Sequence, residues 1–221
     1  LFDISQPEHP EMINQIPTPG VSQWLCLSDT LLVLCDGYAG VRIYSLSDPR
    51  NPSLLSVCED PPNSRRVDIM ENLIYVTNTE GGFNIIDISD PYNCVNLSYY
   101  DENFLNTEFV QISGNYLYVG KLPDANLHIF NVSSPNNPIL LNSFVPPEAE
   151  YTPNPIIIDT LLYICANPNL YVYSISNPEE PELLGQTQNE DHTIVAVDFM
   201  IVEDIAYLVF FDRFFFIDIS D

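Results

Sequence analysis

Apolar residues in this chain come in short runs, each closed by a cluster of Asp, Asn, Gly or Pro. Between residues 64 and 102 the runs predict four strands, at 65–70, 73–77, 83–88 and 95–100. β-Branched and aromatic residues dominate them, a composition that suits a pleated surface. Glu71-Asn72 and Thr79-Glu80-Gly81-Gly82 turn the chain between the first three strands, and Asp90-Pro91-Tyr92-Asn93 forms the loop before the fourth. The same quartet recurs along the sequence. First strands are predicted at 22–27, 109–112, 156–158 and 194–202, and second strands at 31–35, 116–119, 161–165 and 205–210. Third strands follow at 41–46, 127–132, 170–175 and 214–219, and fourth strands at 11–16, 53–57, 139–144 and 182–187. Short turns such as Asp29-Thr30, Gly114-Asn115, Asp159-Thr160 and Glu203-Asp204 join first to second strands, where Asn and Asp tolerate the positive φ of a tight hairpin. No segment has a helical period, so nothing can cross over between parallel strands and the sheets are antiparallel.

The repeat is regular. The serine that follows each third strand stands at 5, 47, 89, 133, 176 and 220, so the steps are 42, 42, 44, 43 and 44 residues. Four short antiparallel strands in about 40–45 residues make one blade of a β-propeller. Runs such as Leu31-Leu32-Val33-Leu34 and Phe214-Phe215-Phe216-Ile217 are apolar on both faces, as a strand buried between two neighbouring blades must be. The Asp-Pro turn ends each third strand: proline presets φ and cannot extend the ladder, and the Asp, Asn or Ser before it can bond its own backbone two residues on. A second proline, at Pro10, Pro52, Pro138 and Pro181, opens the fourth strand, and Cys94 takes its place once. The expected fold is therefore all-β, a single propeller domain of four-stranded antiparallel blades over residues 1–221, with five repeats in the chain.

The segment Asn72-Leu73-Ile74-Tyr75-Val76, followed by Gly81-Gly82-Phe83-Asn84-Ile85-Ile86-Asp87-Ile88-Ser89-Asp90-Pro91, resembles the LVIVD repeat of bacterial and archaeal β-propellers. Leu117-Tyr118-Val119 with 127–133, and Leu162-Tyr163-Ile164 with 170–176, resemble it again. The resemblance implies an interaction scaffold, secreted or displayed on the cell surface, and brings no catalytic motif. Two arrangements remain open. The strand at 11–16 could complete the last quartet and close a five-bladed ring. Alternatively the chain is part of a six- to eight-bladed ring, which the Asp-Ile-Ser present at both ends favours.

Charge narrows the function. Six Lys and Arg against 31 Asp and Glu give a net charge of -25, which removes the basic footprint that nucleic acids or an anionic membrane surface require. No run of about 18 apolar residues is available to cross a membrane. Five cysteines with no Cys-x-x-Cys pair, three of them in apolar runs, predict buried thiols rather than a disulfide or metal framework. Calcium could be held by the acidic loops at Asp101-Glu102, Glu148 with Glu150, and Glu190-Asp191, though no Asp-x-Asp-x-Asp spacing occurs. No other cofactor is expected.

The loops entering the first strands should line the mouth of the central channel. Aligning the hairpins brings Gln23, Arg65 and Glu108 to one position and Trp24 and Arg66 to the next, with His192 in a charged loop nearby. Arg65-Arg66 is either an anion clamp or a structural pair facing Glu108 on the next blade, and the structural pair is the expectation. The function predicted is a non-enzymatic scaffold for a protein or glycan, with a hydrolase or lyase at the channel mouth as the alternative.

Overall fold

The structure is a computed structural model that describes residues 1–101, 107–121, 125–149, 155–166, 169–188, 196–210 and 214–220. It opens with a small antiparallel hairpin of β1 (Phe2–Asp3) and β2 (Glu11–Met12). The first blade is β3 (Trp24–Ser28), β4 (Leu31–Cys35), β5 (Val41–Ser45) and β6 (Ser53–Cys58). The second is β7 (Ser64–Met70), β8 (Leu73–Asn78), β9 (Phe83–Asp87) and β10 (Val95–Tyr100). The third is β11 (Thr107–Ser113), β12 (Tyr116–Lys121), β13 (Asn126–Asn131) and β14 (Ile139–Phe144). The fourth is β15 (Ile156–Ile158), β16 (Leu161–Ala166), β17 (Asn169–Ser174) and β18 (Glu182–Gln186). The last sheet has three strands, β19 (Ala196–Val202), β20 (Ile205–Phe210) and β21 (Phe214–Asp218). Every pairing is antiparallel, and each blade runs in chain order from edge to edge. Strand β7 packs beside both β3 and β11, so the opening strands form the inner, axial layer.

The two-faced apolar pattern has its expected cause. Ile74, Val76 and Ile86 of the second blade pack with Val33, Cys35 and Ile43 of the first. Their strand neighbours Tyr75, Phe83 and Ile85 point the other way and pack with Leu117, Val119 and Phe130 of the third. Alternation along a strand thus feeds two junctions instead of one core and one wet face. Leu162 and Ile164 meet the third blade, while Tyr163 and Cys165 meet Phe199 and Leu208 of the fifth. A Cβ on Gly120 would sit 1.5 Å from the Phe109 ring, so only glycine lets that ring lie flat across β12.

Both turn devices are present. Asp3, Asp87, Asn131 and Asp218 each accept a hydrogen bond from the backbone two residues on, and Ser45 and Ser174 do so through a hydroxyl. Drift at this position therefore keeps the chemistry. The first-to-second turns take positive φ at their first residue, including Glu71 (φ 55°) and Glu203 (φ 54°), which lack the short side chain that makes Asp and Asn tolerant. A further tie was not legible. Asn14, Ser56, Ser98 and Asn142 each donate a hydrogen bond to the backbone of the next turn along, at Arg50, Pro91, Pro135 and Glu179, over 2.6–2.9 Å. The last three sit at β-bulges, which re-aim a side chain. Gly185 fills the bulged position of β18 and can make no such tie.

Two expectations are corrected. Cys58 and Cys94 form a disulfide, where the spacing argued for free thiols. The end of β6 reaches the turn of the following blade, a meeting across 36 residues that no local motif announces. The strand predicted at 11–16 is shorter, Glu11–Met12, and pairs with β1 as a fourth strand pairs with its third, while the backbone N–H groups of Ile13 and Asn14 donate to the Leu1 carbonyl.

Candidate functional site

Gln23, Trp24, Arg65, Arg66 and Glu108 do come together, at the start of the three inner strands β3, β7 and β11. The ladder explains why. Trp24, Arg66 and Phe109 pair with Cys35, Thr77 and Gly120, the same step of the second strand in each blade. Bulges just before Arg66 and Phe109 turn Arg65 and Glu108 outward, toward each other. Arg65 Nη2 and Nε both reach Glu108 Oε2, at 2.6 and 2.9 Å. Arg66 Nε donates to the Glu108 carbonyl at 3.0 Å, and its guanidinium lies 3.8 Å from the centre of the Trp24 ring. The expected pairing of Arg65 with Glu108 is what the geometry contains. Gln23 donates its backbone N–H to the Cys35 carbonyl at 2.9 Å and is exposed.

Two residues deeper, a second tier carries Cys26, Asp68 and Gln111 at equivalent positions. The two tiers and Pro155 enclose an axial pocket of about 230 Å³. Asp68 accepts backbone hydrogen bonds from Ile69 and Ile112, both 2.8 Å long. Burial raises the Asp68 carboxyl above its ordinary range, and those two donors only partly offset it. Burial, helped by Asp68, pushes the Cys26 thiol up to about 12, which leaves it protonated and a poor nucleophile. Gln111 Oε1 is buried without a hydrogen-bond partner among the described residues. On its other side Trp24 borders a shallower cavity of about 420 Å³ with Ser22, Gln23, Leu25 and Leu34. Sequence reasoning passed over Asp68 and Gln111, although the period itself places them two steps along from Arg66 and Phe109.

Two further polar sites are internal. The Asp36 side chain is fully buried and takes hydrogen bonds from Arg42 Nε (2.9 Å), Gly20 N–H and Ser22 Oγ. Burial works to raise its carboxyl, but the hydrogen bonds from Thr18, Gly20, Arg42 and Ser22 together hold it below the usual range. His128 is buried and shares a 2.9 Å hydrogen bond between Nδ1 and Ser143. His192 lies outside the described residues, as do Glu102, Glu150, Glu190 and Asp191 of the calcium candidates. Among the described residues no group of three or more His, Cys, Asp or Glu is placed to hold a metal, and no helix is long and apolar enough to cross a membrane.

Known structures share this architecture. A protein from Lactobacillus plantarum superposes with a TM-score of 0.73 at 13% identity, covering 86% of this chain and 64% of that one. The β-propeller domain of Myceliophteria thermophila Cps50 (Swd1) gives 0.72 at 10% identity, over 89% of this chain and 68% of that one. The computationally designed Ika8 protein gives 0.66 at 12% identity, over 85% of this chain and 54% of that one. The chain therefore spans less than two thirds of the first and third of these. Such identities show the fold alone. No curated protein matches the sequence. The family model of the LVIVD repeat matches residues 62–101 and 106–145, the second and third blades. The chain thus carries two matched LVIVD repeats within a β-propeller architecture.

Proposed function

We propose that the chain is a non-enzymatic binding scaffold, secreted or displayed at the cell surface, that holds a protein or glycan partner at the mouth of its channel. Trp24 carries this reading. It is 43% exposed, yet it is pinned by Arg66 and lies between two cavities. Trp and Arg are the residues most often found at energetic hot spots of interfaces, because a large, prefixed surface is desolvated at small entropic cost. Arg65 and Glu108 answer each other, and Arg66 is engaged by Trp24 and the Glu108 backbone, which supports a fixed contact surface over a hydrolase or lyase site. The Cys58–Cys94 disulfide supports an oxidising compartment, where such bonds persist.

Arrays of extracellular proteins and glycans, probed with wild type and Trp24→Ala, test the reading. Wild type should retain partners that the variant loses, while the variant, short of the Trp24–Arg66 stack, stays folded at the assay temperature. Equal retention by the two would remove Trp24 from the site. Turnover of chromogenic ester or glycoside substrates by wild type, lost in Glu108→Gln, would replace the scaffold with the enzyme.

A further inference from the structure

We infer that the axial pocket between the inner strands holds one neutral, polyhydroxylated ring, a single sugar unit, bound by Asp68 and Gln111 beneath the Trp24–Arg66 stack. The inference rests on the mouth being a binding surface and names the chemistry it takes. Size comes first. The pocket of about 230 Å³ equals roughly eight water volumes, which admits one small ring and excludes a folded peptide. Its polar groups come next. Each Asp68 oxygen accepts one backbone N–H and keeps acceptor capacity for a second donor. Gln111 Oε1 is buried with no partner among the described residues, a costly state that the amide would relieve by turning its polar end into the pocket toward a ligand hydroxyl. The amide of Gln111 can also donate, so adjacent ligand atoms that both give and take hydrogen bonds are matched.

Charge excludes the alternatives. The Arg66 guanidinium on one wall disfavours a cation, while Asp68 and the net charge of -25 disfavour an anion. Trp24, Phe109, Val67, Val110 and Pro155 complete the pocket with apolar surface, against which the C–H face of a sugar ring packs. A ring that is polar at its rim and apolar on its face fits that arrangement.

Trp24 is the sole tryptophan, so its fluorescence reports on this pocket without interference. The whole chain is titrated with glucose, galactose, mannose and N-acetylglucosamine, with their methyl glycosides, and with glucose 6-phosphate as the charged control. At least one neutral sugar should give a saturable change, with glucose 6-phosphate weaker than glucose. Gln111→Leu should weaken it about tenfold, the size of one hydrogen bond. Equal binding of the methyl glycoside points to a terminal unit of a glycan, and loss of binding on methylation points to a free sugar; both support the inference. No saturable change with any neutral sugar up to about 0.1 M would overturn it. So would tighter binding of the phosphate ester, or unchanged affinity in Gln111→Leu. If no sugar titrates but Trp24→Ala still abolishes array binding, the sugar inference falls and the scaffold reading stands.

Discussion

Breaking the Cys58–Cys94 bond is the most informative single perturbation of the fold. The bond joins the outer strand of one blade to the turn of the next and closes a loop with a sequence separation of 36. Cross-linking removes loop entropy from the unfolded chain, and for a loop of this length the expected stabilisation is about 4 kcal/mol. For a protein of this size that is a drop of about 8–16 °C in melting temperature. Two replacements separate bond from residue. Cys94→Ser removes only the bond. Cys94→Pro also removes it but restores the proline found at Pro52 and Pro138, which should recover about 0.4–1 kcal/mol by stiffening the unfolded chain. Urea unfolding of wild type and both variants, with and without dithiothreitol, provides the assay. Wild type with reductant should match Cys94→Ser, and reductant should leave both variants unchanged. Thiol titration of denatured, oxidised wild type should count three, from Cys26, Cys35 and Cys165. Five reactive thiols, or variants within about 1 kcal/mol of wild type, would refute the reasoning.

Other outcomes can be checked alongside. Ile86 is fully buried between the first two blades, so Ile86→Ala should cost about 2–5 kcal/mol in denaturant unfolding, and a loss under about 0.5 kcal/mol would place it outside the junction. The Arg65–Glu108 pair is partly exposed, so a double-mutant cycle should give a coupling below about 1 kcal/mol that shrinks in about 1 M salt. Arg66→Ala should cost more, about 2 kcal/mol, because it loses both the Trp24 stack and a hydrogen bond to Glu108. Asp36 is held below its ordinary pKa, so its contribution is complete above about pH 4 and is lost as pH falls through the lowered folded value. Asp36→Asn should therefore be less stable at pH 7 by about 3 kcal/mol, and the gap to wild type should close on acidification below about pH 4; a gap constant with pH would contradict the assignment.

The sequence alone determined the blade and its repetition. Apolar runs with a period near 43, two-residue turns and the Asp-Pro stop are local properties, and short-range sterics and backbone hydrogen bonding translate them directly into antiparallel strands. It also determined which residues share a ring position, since Trp24, Arg66 and Phe109 fall at one step of the period. From there the pairing of Arg65 with Glu108 followed, because two equivalent loops on neighbouring blades must face each other. What lay beyond reach depends on how blades twist against one another. Cys58 meets Cys94, and Ser56 meets the Pro91 turn, because the outer strand of one blade lies over the next blade's loop, a placement set by packing and not by spacing. The pairing of the short N-terminal strand was open in the sequence, which offers the same Asp-Ile-Ser ending at 3–5 and 218–220, and the backbone bonds to β1 and Leu1 decide it. Only the tertiary structure turned Asp68 and Gln111, ordinary strand residues in the sequence, into the floor of a pocket, since the axis they share exists only once three blades stand side by side.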